Sequence, residues 1–259
     1  MNIPYFHVDA FTRRVFAGNP AGVCLLEAWP EDGLLQSIAA ENNLPETAFV
    51  VPDGPAFALR WFTPRQEIDL CGHATLAAAF VLYLTGRAAE GPISFTSRSG
   101  LLTVAKRGDL LLLDFPARPA APCPAPADLL QGLGALPREV YKARDYLAVF
   151  AREEEITALV PDFARLARLD CLGVIATAPG REVDFVSRFF APGAGIPEDP
   201  VTGSSHCTLI PYWAGRTGKE SLAARQLSPR GGELSCVHRG DRVLIGGYAV
   251  LYQTAILDL

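Results

Sequence analysis

Arg60-Trp61-Phe62-Thr63-Pro64 is followed, seven residues past its proline, by Cys71-Gly72-His73-Ala74-Thr75. Arg188-Phe189-Phe190-Ala191-Pro192 is followed at the same distance by Asp199-Pro200-Val201-Thr202-Gly203-Ser204. Each copy runs into an apolar segment that closes on Thr-Gly, at Thr85-Gly86 and at Thr217-Gly218. The offset at the Arg–Pro end is 128 residues, close to half of a 259-residue chain. A period of 20 to 50 residues would indicate a solenoid; a period of half the chain indicates duplication into two lobes. The expected architecture is α+β, two similar lobes facing each other across a cleft. Each lobe is a mostly antiparallel or mixed sheet around a central helix.

Composition narrows the function classes. Hydrophobic residues make up 49% and charged residues 20%, the balance of a well-cored globular chain. A net charge of −5 speaks against a nucleic-acid binder, which would carry a basic stripe. The longest apolar run, Ala74 to Leu84, is too short to span a bilayer and reads as a helix buried on every side. Met1-Asn2-Ile3-Pro4 leads straight into strand-like Tyr5-Phe6-His7-Val8, so a cytoplasmic setting without a membrane partner is expected. Cys24, Cys71, Cys123, Cys171, Cys207 and Cys236 lack framework spacing and read as free thiols. No Gly-x-Gly-x-x-Gly follows a strand and no P-loop motif is present. The three lysines suggest no Schiff base, so no cofactor is expected.

Along the chain, strands are expected at Tyr5–Phe11, Gly22–Leu26, Thr47–Val51, Phe57–Phe62 and Ile93–Thr96, with a hairpin of Leu101–Val104 and Leu110–Phe115. Pro30-Glu31-Asp32 opens a helix with Leu35, Ile38 and Ala39 on one face. Residues 116–126 hold five prolines and form an extended connector between a first lobe, 1–115, and a second, 127–259. The last strand of the second lobe is free to cross back to the first. In the second lobe helices are expected near Ala127–Leu133 and Pro161–Leu169. Strands are expected at Tyr146–Phe150, Gly173–Thr177 and Asp184–Phe190, and a closing hairpin of Ser235–His238 and Arg242–Leu251.

In both repeated loops small residues sit where a helix should begin: Gly72, Ala74 and Thr75, then Thr202, Gly203, Ser204 and Ser205. Free backbone N–H groups and the helix dipole make such a point an anion site. The alternative is an ordinary helix cap, for which serine, threonine and aspartate are preferred anyway. Duplication favours the anion site. In equal numbering from the prolines, Cys71 corresponds to Asp199, so no matched thiol pair is present.

Asn43-Leu44-Pro45-Glu46-Thr47-Ala48-Phe49, Asp69-Leu70-Cys71-Gly72-His73-Ala74-Thr75 and Glu198-Asp199-Pro200-Val201-Thr202-Gly203-Ser204 together resemble the PhzF-type isomerases of phenazine biosynthesis. Gly18-Asn19-Pro20-Ala21-Gly22-Val23 fits as well, and the resemblance runs from about residue 5 to residue 250. It implies the diaminopimelate epimerase-like fold and cofactor-independent proton shuttling on a small carboxylic acid. A glutamate matching Glu46 moves the proton, while residues matching His73, Asp199 and Ser204 hold and polarise the substrate. Gly72, Gly203 and Asn19 complete the expected binding set. Homodimers are common among related proteins, so a homodimer is expected by analogy alone.

Other readings stay open on the residues themselves. Glu46 could be a solvated loop carboxylate, His73 a core-edge histidine, Asp199 a helix cap, and Gly-Asn-Pro only a turn. Cys71 occupies the loop position at which related epimerases carry a thiol base. A one-centre epimerase or racemase using Cys71 and Glu46 is therefore an alternative to an isomerase. A small-acid binding protein without turnover is another. Cys71-x-His73 and His206-Cys207 match no common zinc spacing, so no metal is expected. His7 and His238 read as structural.

Overall fold

The sheet begins with two apolar strands whose register is set by one glycine. In the computed structural model, which describes residues Met1–Leu259, strand Asn2–Ala10 lies antiparallel to Asn19–Leu25, from Tyr5 opposite Cys24 to Ala10 opposite Asn19. Gly18 closes the connection at φ +65, and a Cβ there would stand 2.1 Å from the Ala10 carbonyl oxygen. Only glycine fits that turn. Helix Asp32–Asn42 then buries Leu35, Ile38 and Ala39, and Asn43 ends it in the left-handed region at φ 48. Strand Glu46–Asp53 returns parallel to Asn19–Leu25, with Glu46 opposite Ala21.

From here one pattern is laid down twice. Strand Ala56–Phe62 pairs antiparallel with Glu46–Asp53 and takes the short strand Glu67–Ile68 antiparallel on itself. Helix Gly72–Leu84 follows, then strand Ile93–Ser97 parallel to Ala56–Phe62 and strand Gly100–Arg107 antiparallel to Ile93–Ser97. In the second half, Glu139–Lys142 is antiparallel to Tyr146–Val149, which is parallel to Val174–Pro179. Strand Phe185–Ala191 is antiparallel to Val174–Pro179 and takes Ile196–Asp199 antiparallel on itself. Helix Gly203–Thr217 follows, then Ser221–Gln226 parallel to Phe185–Ala191 and Gly232–Arg239 antiparallel to Ser221–Gln226. Every pairing keeps its sense between the copies. The chain is thus two pseudo-symmetric α+β lobes, each a mixed sheet around a central helix.

Spatially the chain forms two units, Met1–Asp114 with Gly246–Leu259, and Phe115–Ile245. The C-terminal strand Ala249–Asp258 is antiparallel to Asn2–Ala10 within the first unit. In the second unit Ala121–Pro122 pairs with Tyr141 and Lys142.

The repeated arginine has a structural purpose in each copy. Arg60 grips Glu67 through two parallel bonds of 2.7 and 2.8 Å, and Arg188 grips Glu198 through two of 2.7 and 2.9 Å. Both forks are largely shielded from solvent, and each ties a strand to the short strand that feeds the central helix.

The two central helices solve the same burial problem differently. Nine of the thirteen residues of Gly72–Leu84 are buried, as expected of a helix apolar on all sides, and it packs on the first three strands of its unit. Helix Gly203–Thr217 contains Pro211, which lacks the N–H that would bond the Cys207 carbonyl. The Arg118 N–H, from the proline-rich segment, takes that carbonyl at 2.8 Å instead. No helix is long and apolar enough to cross a membrane.

Several sequence expectations need correction. The segment expected as one strand, Arg242–Leu251, ends at Gly247 and restarts at Ala249. Gly247 lies so close to Phe11 that a Cβ would stand 2.3 Å from its ring, and pairing breaks at Tyr248 beside it. The helix expected over Pro161–Leu169 is only Phe163–Leu166, capped by Asp162. Helix Glu153–Thr157 and strands Glu139–Lys142 and Ser221–Gln226 carry too few residues or too mixed a pattern to stand out.

The register between the repeats also changes. Trp61 faces Ile68 where Phe189 faces Asp199, and the central helices start at Gly72 and Gly203. Cys71 therefore corresponds to Thr202, both being N-cap residues, and Asp199 corresponds to Ile68. The longer turn Pro192–Gly195 in the second copy accounts for the shift.

Candidate active site

Three element starts converge in the first unit. Parallel pairing brings the beginnings of Asn19–Leu25 and Glu46–Asp53 to the same end of the sheet, where helix Gly72–Leu84 also begins. Asn19, Glu46 and His73 are consequently neighbours, and all three are buried. His73 Nε2 lies 3.1 Å from Glu46 Oε2, and its other nitrogen, Nδ1, lies 3.1 Å from the side-chain amide of Asn19. The Cys71 sulfur is 3.5 Å from His73 Nδ1 and 4.0 Å from Nε2. Gly72 opens the helix, and no side chain caps its first turn.

The electrostatics follow from burial. Desolvation first, then the nearby Glu46 charge, push the Cys71 thiol above its ordinary range. Burial also opposes a charge on His73, but the Cys71 sulfur and the Glu46 carboxylate outweigh it and hold the imidazole well above its ordinary value. A carboxylate and an imidazole in contact, shielded from water, form a proton donor–acceptor pair suited to general acid/base chemistry.

The second unit holds the remaining expected residues. Asp199 ends strand Ile196–Asp199, and its Oδ2 accepts a 2.5 Å bond from the Thr202 hydroxyl. Gly203 and Ser204 form the first turn of helix Gly203–Thr217. Ser204 Oγ accepts from Arg144 Nη2 at 3.0 Å, and Arg144 is itself paired at 2.8 Å with buried Asp145. Ser204 is not the cap: Thr202 holds that place. Ser205 donates to the Thr202 carbonyl, and so does His206 Nδ1. His206 and Cys207 are buried within this helix. Burial lowers the His206 pKa to about 4, so the ring is neutral.

Sequence reasoning missed Gln226, a fully buried residue that holds the second loop together. Its Oε1 accepts from the Thr202 N–H at 2.9 Å, while Nε2 donates to the Asp199 carbonyl at 2.8 Å and to Thr202 Oγ1 at 3.2 Å. A signal was available. Leu222, Ala224 and Gln226 share the inward parity of one strand, and a glutamine at an apolar-parity position requires internal partners. Arg144 was missed as well, and nothing in its sequence context marks it.

A hollow of about 600 Å³ on the first unit, lined in part by Glu27, Pro52, Phe57 and Arg87, contains none of these residues. Two of its charged residues, Glu27 and Arg87, are already paired at 3.4 Å. Acid, thiol and imidazole come together at Glu46, Cys71 and His73.

Comparison with known proteins finds relatives over the whole chain. Residues 8–255 match the model of the family described as phenazine biosynthesis-like protein. An uncharacterized isomerase of Pseudomonas aeruginosa is 52% identical over 259 residues, spanning 100% of both chains. A crystal structure of a phenazine biosynthesis protein of the PhzF family from Enterococcus faecalis superposes with a TM-score of 0.98 at 49% identity, again over 100% of both chains. A phenazine biosynthesis PhzC/PhzF protein from Clostridium difficile gives 0.95 at 44% identity, covering 99% of this chain and 100% of the other.

Proposed function

The chain belongs to the phenazine biosynthesis-like family of isomerases, and on that premise we propose that Glu46 carries a proton between two carbons of a small carboxylic acid. The reaction class is cofactor-independent general acid/base isomerisation. The observation that carries the assignment to Glu46 is its buried contact of 3.1 Å with His73 Nε2. Glu46 as carboxylate removes a proton from carbon beside an activating group, and as carboxylic acid returns it elsewhere on the same skeleton. His73 steadies the charged state of Glu46 and polarises the substrate, and Asn19 fixes the ring. In the first unit the first-turn N–H groups after Gly72 bind the substrate's carboxylate; in the second, Asp199, Gly203 and Ser204 are the proposed substrate-binding residues. A homodimer is part of the same reading and rests on family analogy; sedimentation at the mass of one chain would remove it.

A second reading draws on Cys71, whose sulfur touches His73. A thiol and a carboxylate acting on one carbon would make the protein an epimerase. An isotope test separates them: an acid that turns over is deuterated at the donor carbon and converted in ordinary water. A single carrier returns part of the deuterium to the product. A two-base epimerase releases all of it and inverts one centre, which would sink the isomerase assignment of Glu46.

A further inference from the structure

Glu46, Cys71 and His73 offer a carboxylate oxygen, a thiol sulfur and an imidazole nitrogen that all lie within 4.8 Å of one another, and all three residues are buried. From His73 Nε2 the oxygen is at 3.1 Å and the sulfur at 4.0 Å. A tetrahedral ion with bonds of about 2.3 Å to sulfur and about 2.0–2.1 Å to nitrogen and oxygen sets its ligands roughly 3.4–3.6 Å apart. The nitrogen–oxygen separation falls a little short of that range and the nitrogen–sulfur separation a little beyond it, and with every pair inside 4.8 Å, side-chain shifts of up to about 1 Å complete three corners of a tetrahedron. The fourth corner is left for water or a substrate carboxylate.

The surroundings suit an ion as well. A ligating histidine needs a partner on its other nitrogen to fix the ring, and Asn19 stands 3.1 Å from Nδ1. Turning the Asn19 amide presents its oxygen to an Nδ1 proton, a choice between two orientations of the same group. The mixture of sulfur, nitrogen and one carboxylate selects Zn²⁺, Co²⁺ or Cd²⁺ over Mg²⁺ and Ca²⁺, which require oxygen ligands. We propose that Glu46, Cys71 and His73 bind one zinc-type divalent cation, and that the bound ion switches the isomerase off. The ion occupies the Glu46 oxygen and the His73 nitrogen that proton transfer needs, and binding displaces the thiol proton to solvent. The inhibition rests on the proposed role of Glu46; the binding does not.

Co²⁺ is the probe. Titrated into the full chain freed of metal by chelation, it should bind one ion per chain and develop a thiolate-to-cobalt charge-transfer band. Zn²⁺ should displace it and Mg²⁺ should not. The nearly isosteric Cys71→Ser should abolish the band and weaken binding at least tenfold, His73→Asn should weaken binding likewise, and Cys123→Ala should change nothing. Absence of a thiolate band, or its persistence in Cys71→Ser, overturns the site. A band of normal intensity with unimpaired turnover at full occupancy overturns the switch. Turnover that is indifferent to Glu46→Gln removes the functional reading and leaves cobalt binding to stand or fall on its own.

Discussion

His73 Nε2 and Glu46 Oε2 stand 3.1 Å apart, the first on the second residue of a central helix and the second on the first residue of a strand. The contact ties the helix start to the sheet end, and it joins a carboxyl group to an imidazole away from water. Its worth depends on pH. Burial opposes the His73 charge, but its neighbours raise its folded-state pKa above the unfolded value near 6.5. The stabilisation is therefore fully present below pH 6.5 and is lost as pH rises through the raised folded value. The destabilisation of His73→Asn relative to wild type, measured by urea unfolding, should be largest near pH 6 and shrink in alkaline solution. A difference that grows with pH would show that the pair is not ionised as described.

His206 behaves in the opposite sense. Its folded-state pKa is lowered by burial to about 4, so the unfolded chain binds a proton first as pH falls. Stability should drop between about pH 6.5 and pH 4 by about 3 kcal/mol in total, at about 1.4 kcal/mol per pH unit. His206→Gln should flatten that part of the profile, whatever its effect at neutral pH. An acid limb of unchanged slope in the variant would assign it to other groups.

Gln226 should matter to turnover although it sits behind the loop. Gln226→Leu removes the acceptor of the Thr202 N–H and the donor to the Asp199 carbonyl, leaving buried groups without partners at a cost of about 1–3 kcal/mol each. Misplacing Asp199 should lower kcat by about 10- to 100-fold. Gln226→Glu keeps an acceptor but loses the donor, and should fall in between. Full kcat in a folded Gln226→Leu protein would show that Asp199 needs no such support.

The duplicated arginines should prove structural. Removing Arg188 leaves Glu198 buried without its fork, so Arg188→Ala should lose about 2–3 kcal/mol. Arg188→Lys should recover little of this, because an ammonium cannot form two parallel bonds to one carboxylate. Thermal unfolding of both variants decides it: a lysine variant as stable as wild type contradicts the fork.

Much of this was legible in the sequence. Leu35, Ile38 and Ala39 share one helix face by spacing, and they are the buried residues of that helix. The run from Ala74 could only be a buried helix, and the half-chain duplication carried the two-lobe fold. Register was harder to read. The Arg–Pro ends are offset by 128 residues and the Thr-Gly ends, 85 and 217, by 132, which signals an insertion in the second copy without locating it. The structure places it in the turn after Pro192, so Thr202 rather than Asp199 stands where Cys71 does. Gln226 and Arg144 act through contacts with residues 24 to 60 positions away in sequence, and local pattern does not encode such contacts.

The most direct test of the account is deuterium incorporation at carbon, followed by NMR in D₂O over a panel of small carboxylic acids. Wild type, Glu46→Gln and, as a control, exposed Glu41→Gln would be compared. The account predicts wash-in by wild type and by Glu41→Gln, with the rate in Glu46→Gln lower by about 10²- to 10⁴-fold, the range lost with a general acid/base. Wash-in by Glu46→Gln at the wild-type rate would contradict it.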